Sequence, residues 1–178
     1  MTAPLAYFFG DDDLTLNRAV SRLARALAGD GEPLERWDLR GTRNDAASLI
    51  GEVHGRVATP VMFGGGTMAV VANPGALAVR NEDRDALLGL IPLVAPGNAL
   101  VFVEAAPSGA KEPGQKKLAE AIKAAGGEVR RFESPKEGAL AAWIDSEARE
   151  RDVRLAPGSA KDRMKTRESR KRPGSGLV

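Results

Sequence analysis

Gly10-Asp11-Asp12-Asp13-Leu14-Thr15-Leu16-Asn17 stands where an α/β protein most often does chemistry, directly after an apolar run and directly before a helical one. Leu5-Ala6-Tyr7-Phe8-Phe9 reads as a buried strand, and Leu16, Val20, Leu23 and Leu27 share one helical face. A nucleotide-binding protein fills this junction with Gly-x-x-x-x-Gly-Lys-Ser/Thr, whose amides and lysine cradle phosphate. Here Thr15 and Leu16 occupy the Gly-Lys positions, and three carboxylates stand where a triphosphate would lie. Aspartates suit a helix N-terminus, because they accept from its free amides and complement its dipole, but they repel phosphate. The acid that would hold magnesium after the third strand is missing too, since Val70-Val71 runs into Ala72-Asn73-Pro74. No nucleotide or other cofactor is expected.

Other chemistry finds little support. Asp11, Asp12 and Asp13 could hold a divalent cation, but no partner acid or carbonyl pattern accompanies them, and helix capping accounts for them better. His54 is the only histidine and falls on the polar side of its helix, which excludes a His-based dyad or a multi-His metal site. With no cysteine there is no disulfide framework, thiolate nucleophile or Cys-type zinc site. Glu104 ends an apolar strand, where sites often form in α/β sheets, yet no base or nucleophile pairs with it in the sequence. The chain is therefore not expected to be an enzyme by itself.

The elements that position these residues alternate. Polar Arg36-Trp37-Asp38-Leu39-Arg40 reads as a second strand, followed by a helix from an Asn44 cap through Leu49, Ile50, Val53 and Val57. Thr67–Ala72 is an apolar strand closed by Asn73-Pro74-Gly75, and a helix from about Asn81 carries Leu87, Leu88 and Ile91. Residues 98–103 form another apolar strand, a helix from about Pro113 ends at Gly126-Gly127, and Glu128–Phe132 is a charged last strand. Such a β–α repeat predicts a mostly parallel sheet with helices on both faces. Strands one, three and four are apolar enough to be central, while two and five carry the charge of edge strands, which predicts the order 5-1-4-3-2. Ser134-Pro135-Lys136-Glu137 opens a further helix bearing Leu140, Trp143, Ile144 and Ala148. The expected domains are residues 1–133, the start of a helical domain at 134–160, and a basic, disordered tail at 161–178.

The chain has 178 residues and a net charge of +2, but that charge is uneven. Residues 161–178 hold seven basic side chains against Asp162 and Glu168, a net +5 that leaves −3 for residues 1–160. The folded part shows no basic stripe, so any DNA binding is expected to be weak, non-specific and confined to the tail. No window approaches the roughly 18 apolar residues of a membrane span, and no signal peptide is evident. A cytoplasmic protein with no membrane partner is expected.

One loop breaks the pattern. Thr59-Pro60-Val61-Met62-Phe63-Gly64-Gly65-Gly66 sets three bulky apolar residues between a helix-ending proline and three glycines. Either Met62 and Phe63 fold back on the end of the sheet, or they anchor in a partner's pocket.

Taken in order, Tyr7-Phe8-Phe9-Gly10-Asp11-Asp12, Pro60-Val61-Met62-Phe63, Leu100-Val101-Phe102-Val103 and Trp143-Ile144 with its Ala-Arg-rich continuation resemble the delta subunit family of bacterial DNA polymerase III, over roughly residues 4–160. The resemblance implies an AAA+ fold that has lost its nucleotide site and a start of the lid domain. It implies a clamp-loader role in DNA replication, binding or also opening the β sliding clamp without hydrolysing ATP. The family's hydrophobic clamp-binding pair falls on Met62 and Phe63, with Val61 beside them. A delta subunit continues into a collar domain, whereas this chain turns basic near Lys161, through a shortened gene product or a frame change. Contacts to other clamp-loader subunits are therefore expected to be missing. The alternatives are a degenerate P-loop-type enzyme of unknown substrate and a nucleic-acid binder working through its tail.

Overall fold

The computed structural model describes residues 4–61, 65–135 and 139. Five strands alternate with helices: β1 Leu5–Gly10, α1 Asp13–Ala28, β2 Glu35–Arg40, α2 Ala46–Val57, β3 Thr67–Ala72, α3 Pro74–Leu77, α4 Asn81–Leu90, β4 Ala99–Ala105, α5 Lys116–Ala124 and β5 Glu128–Phe132. All pairings are parallel and the order is β2-β3-β4-β1-β5, the order expected from strand polarity. The physical reason is burial. Every residue of β1 is buried between two neighbours and two helical layers, whereas β2 buries only Leu39.

Strand alternation sorts the core into two layers. Leu5, Tyr7, Phe9, Leu100 and Phe102 face the helices α2 to α5, and Tyr7 stacks on Phe102 with ring centroids 6.2 Å apart. Ala6, Phe8, Met68, Val70 and Val101 face α1 alone, which covers them with Leu16, Val20 and Leu23. Right-handed crossovers dictate this division. The chain crosses the sheet one way from β1 to β2, so α1 takes one face; every later connection runs back the other way and takes the opposite face.

Three local readings differ from expectation. No side-chain cap starts α2: Asp45, not Asn44, precedes its first turn, and Asp45 accepts a hydrogen bond from the Thr42 hydroxyl instead. The turn after β3 becomes the short helix α3, because Asn73 adopts a left-handed conformation (φ 56°) that lets Pro74 begin a helical turn. The fifth helix starts at Lys116, later than Pro113. The chain divides into two units after Ser134. The expected lid-domain helix with Trp143 and Ile144 and the expected disordered tail at 161–178 lie outside the described residues.

Each strand exit is tied to its neighbour through a backbone amide. Gly41 donates to Ala72 (2.7 Å), Asn73 to Val103 (2.9 Å), Ala106 to Gly10 (2.8 Å) and Asp11 to Phe132 (3.1 Å). Gly10 is required in this row, since a Cβ there would stand 1.7 Å from the Phe132 carbonyl oxygen at a φ of 150°. Replacing Gly10 by Ala is expected to cost about 2–4 kcal/mol, as a backbone clash that no side-chain rotation relieves. Urea denaturation checks this; an unchanged midpoint would show that the β1–β5 contact yields easily.

Candidate functional site

Two places could carry function: the C-terminal ends of the strands and the loop that precedes β3. At the first, β1 leaves toward one face and its neighbour β4 toward the other, which makes a topological switch point. α/β proteins commonly bind ligands in the crevice that such a divergence opens. Here the protein's own side chains occupy it.

The three aspartates divide the work. Asp12 is buried and caps α1, its carboxylate accepting from the Thr15 amide at 3.0 Å and the Thr15 hydroxyl at 2.6 Å. Thr15, at the position of the missing glycine, is thus committed to the cap. Asp11 turns the other way and accepts from the Ser134 amide at 2.7 Å, while the Ser134 hydroxyl donates to the Asp11 carbonyl at 2.9 Å. That amide, followed by the Ser108 hydroxyl, holds the Asp11 carboxyl below the usual carboxylate range. The contribution is present above the ordinary value of 3.8 and disappears as the pH falls below it. Only Asp13 remains exposed, in the first turn of α1, where its charge complements the helix dipole. The expectation that all three cap the helix is therefore corrected: Asp11 is a tie between the ends of β1 and β5.

On the β4 side, Glu104 has partners that the sequence did not reveal. Its carboxylate accepts from the Tyr7 hydroxyl at 2.5 Å and from the Gly114 amide at 2.9 Å. The Gln115 backbone amide is hydrogen-bonded to the Tyr7 oxygen. A Cβ on Gly114 would stand 2.2 Å from Glu104 Oε1, so a side chain there would displace the carboxylate. Burial above all, then the bond to Glu104 and its negative charge, push the Tyr7 phenol far above its ordinary value of 10.0. The signal was a tyrosine inside an otherwise hydrocarbon strand, which needs a partner for its hydroxyl. His54 is exposed on α2, as expected. Among the described residues no three His, Asp or Glu side chains form a group able to hold a metal ion.

The second place lies at the opposite, N-terminal end of the strands. Met62 and Phe63 fall outside the described residues, but both flanks of their loop are defined. Val61 is half-buried over Gly97, where a Cβ would meet its Cγ2 at 3.0 Å. The Thr59 hydroxyl donates to the Gly55 carbonyl at 2.7 Å, and the Gly65 amide to Glu32 at 3.2 Å. Asn98, read from sequence as the first residue of a strand, instead precedes β4 as a buried polar side chain. It bonds to the carbonyls of Arg56, Val57 and Thr59 and to the amide of Thr67. Next to this end of the sheet, the Arg56 guanidinium lies 4.4 Å from the centre of the Trp37 ring.

No family model and no curated protein matches the sequence. Among solved structures, the fold is similar to that of the Bacillus subtilis DNA clamp loader delta protein (YqeN), with a TM-score of 0.53 and 16% identity. The match covers 90% of this chain and 47% of that one, so the chain spans about half the length of its structural relative. At that identity the likeness establishes the fold.

Tyr7 is the only tyrosine, so tyrosinate absorbance reports it alone. Its raised folded value means that its stabilising contribution is whole below about pH 10 and is lost as the pH climbs toward the folded value. Tyrosinate is therefore expected to appear only with unfolding, in one transition with the loss of circular dichroism. Ionisation near pH 10 in a folded chain would show that the phenol is not sealed against Glu104.

Proposed function

We propose that this chain is a clamp-loader delta-like subunit that grips the β sliding clamp of DNA polymerase III without binding or hydrolysing ATP. The observation that carries this reading is the filled switch point. A sheet with the strand order of the nucleotide-binding folds uses Asp11, Asp12 and Thr15 for internal hydrogen bonds where phosphate would sit. A role in binding a partner then falls to the other end of the sheet. There Val61, Met62 and Phe63 form the apolar contact, with Met62 and Phe63 as anchors and Val61 in part committed to Gly97. The likeness to the Bacillus subtilis delta protein supports the same partner.

Such an anchor works by hydrophobic burial in the partner's pocket. No helix among the described residues is long and apolar enough to cross a membrane. The basic run at residues 161–178 supplies at most a salt-sensitive attraction to DNA beside the clamp.

Titrating the whole chain against the sliding clamp of the same cell, with and without ATP and magnesium, tests the proposal. Binding is expected, with an affinity that ATP leaves unchanged. The Met62→Ala, Phe63→Ala double variant is expected to lose clamp binding, at about 2–4 kcal/mol for each anchor and less than their sum together. Its melting temperature should fall only slightly. A double variant that unfolds would make these core residues. Competition by ATP in the micromolar range would restore the switch point as a nucleotide site.

A further inference from the structure

We propose that Asn98 is the positioning residue of the segment between α2 and β3, its carboxamide fixing how far apart the two ends of the Met62-Phe63 loop stand. The inference deepens the clamp-binding reading and rests on it for the identity of the partner, but not for the mechanics of the loop.

A carboxamide has two N–H donors and one oxygen with two lone pairs. Asn98 is 3% exposed and turns its nitrogen toward three carbonyls, those of Arg56 (3.3 Å), Val57 (3.0 Å) and Thr59 (2.8 Å). These lie at and just beyond the last turn of α2, where carbonyls have no partner within the helix. Its oxygen accepts from the Thr67 amide at 2.9 Å, at the first residue of β3. The loop therefore leaves from a carbonyl held by one end of the amide and returns to an N–H held by the other. One carboxamide thus bonds to both ends of the segment, at Thr59 and at Thr67.

Backbone packing around Asn98 reinforces the tie. The Asn98 amide donates to the Ala95 carbonyl at 3.0 Å, and the Ala95 amide donates to Val57 at 2.9 Å, so the turn before β4 grips the α2 terminus as well. A Cβ on Gly66 would stand 1.9 Å from the Gly97 carbonyl oxygen, which brings the returning strand against the same turn. No other common side chain meets this set of groups. Aspartate would direct a carboxylate at three carbonyls, and leucine would leave the Thr67 N–H without its acceptor and the Thr59 carbonyl without this donor, the Val57 carbonyl keeping only the Ala95 amide. A loop whose ends are fixed before binding loses less conformational freedom when it docks, which improves affinity without a new contact.

Three measurements on the full chain test this. In the wild type, the Asn98 side-chain amide protons should exchange with solvent far more slowly than those of exposed Asn17 and Asn44. Free exchange would mean that the tie does not exist. Asn98→Asp keeps the acceptor for Thr67 but loses the donors to the loop. Chymotryptic cleavage after Phe63 should accelerate at least tenfold in this variant, with circular dichroism unchanged, and clamp affinity should fall by about the same factor. An unchanged cleavage rate in a natively folded variant overturns the inference. So does unfolding of both Asn98→Asp and the gentler Asn98→Ser, which would make Asn98 a requirement of the fold rather than of the loop. If the wild type does not bind the clamp, the functional reading fails while the exchange and cleavage results still decide the role of Asn98.

Discussion

The end of β1 is held from both sides by backbone, and the character of the molecule follows from that constraint. The Gly10 carbonyl accepts from Ala106 on β4, and the Asp11 amide donates to Phe132 on β5. Gly10 itself lies so close to Phe132 that no side chain fits. A phosphate-binding loop needs amides pointing into open space at this point. In this chain the Asp11 amide is spent on β5, and the Asp12 carboxylate takes the Thr15 amide. What a nucleotide would otherwise bridge, the ends of β1, β4 and β5, the chain bridges with Asp11, Ser108, Ser134, Tyr7 and Glu104.

Under the proposed function, contacts with a partner fall to the other end of the sheet. The helix-to-strand segment ahead of β3 is apolar at its tip and pinned at its base, a combination that suits docking better than catalysis. Asn98 bonds to both flanks of that segment, and Gly66 and Gly97 let the flanking backbones touch. The two ends share a strategy in which a polar side chain joins backbone segments far apart in sequence.

The fold was readable because strand polarity is a direct consequence of position. β1, β3 and β4 must be apolar on both sides, whereas β2 and β5 tolerate Arg36, Asp38, Arg130 and Arg131 at the edges. The departure from the phosphate-loop motif was equally plain, since Thr15, Leu16 and Asn73 stand where that motif has glycine, lysine and an acid. The use made of the polar residues was not readable. Asp11 and Asp12 look identical in sequence, and only the approach of β5 assigns one to Ser134 and the other to the helix. Asn98 pairs with groups 31 to 42 positions away, and Tyr7 with Glu104 across 97, separations at which local pattern carries no information. The short helix α3 was missed for a related reason: it depends on one left-handed residue, Asn73, whose conformation propensity does not reveal.

The most direct test follows the backbone amides of the nitrogen-labelled chain while the sliding clamp is added, and then ATP with magnesium. Clamp-dependent shifts are expected to centre on residues 59–67 and Asn98, with Gly10 to Asn17 unmoved by either addition. Shifts of the Asp11, Asp12 and Thr15 amides on adding ATP, with the loop before β3 silent toward the clamp, would contradict both the closed switch point and the role given to Met62 and Phe63.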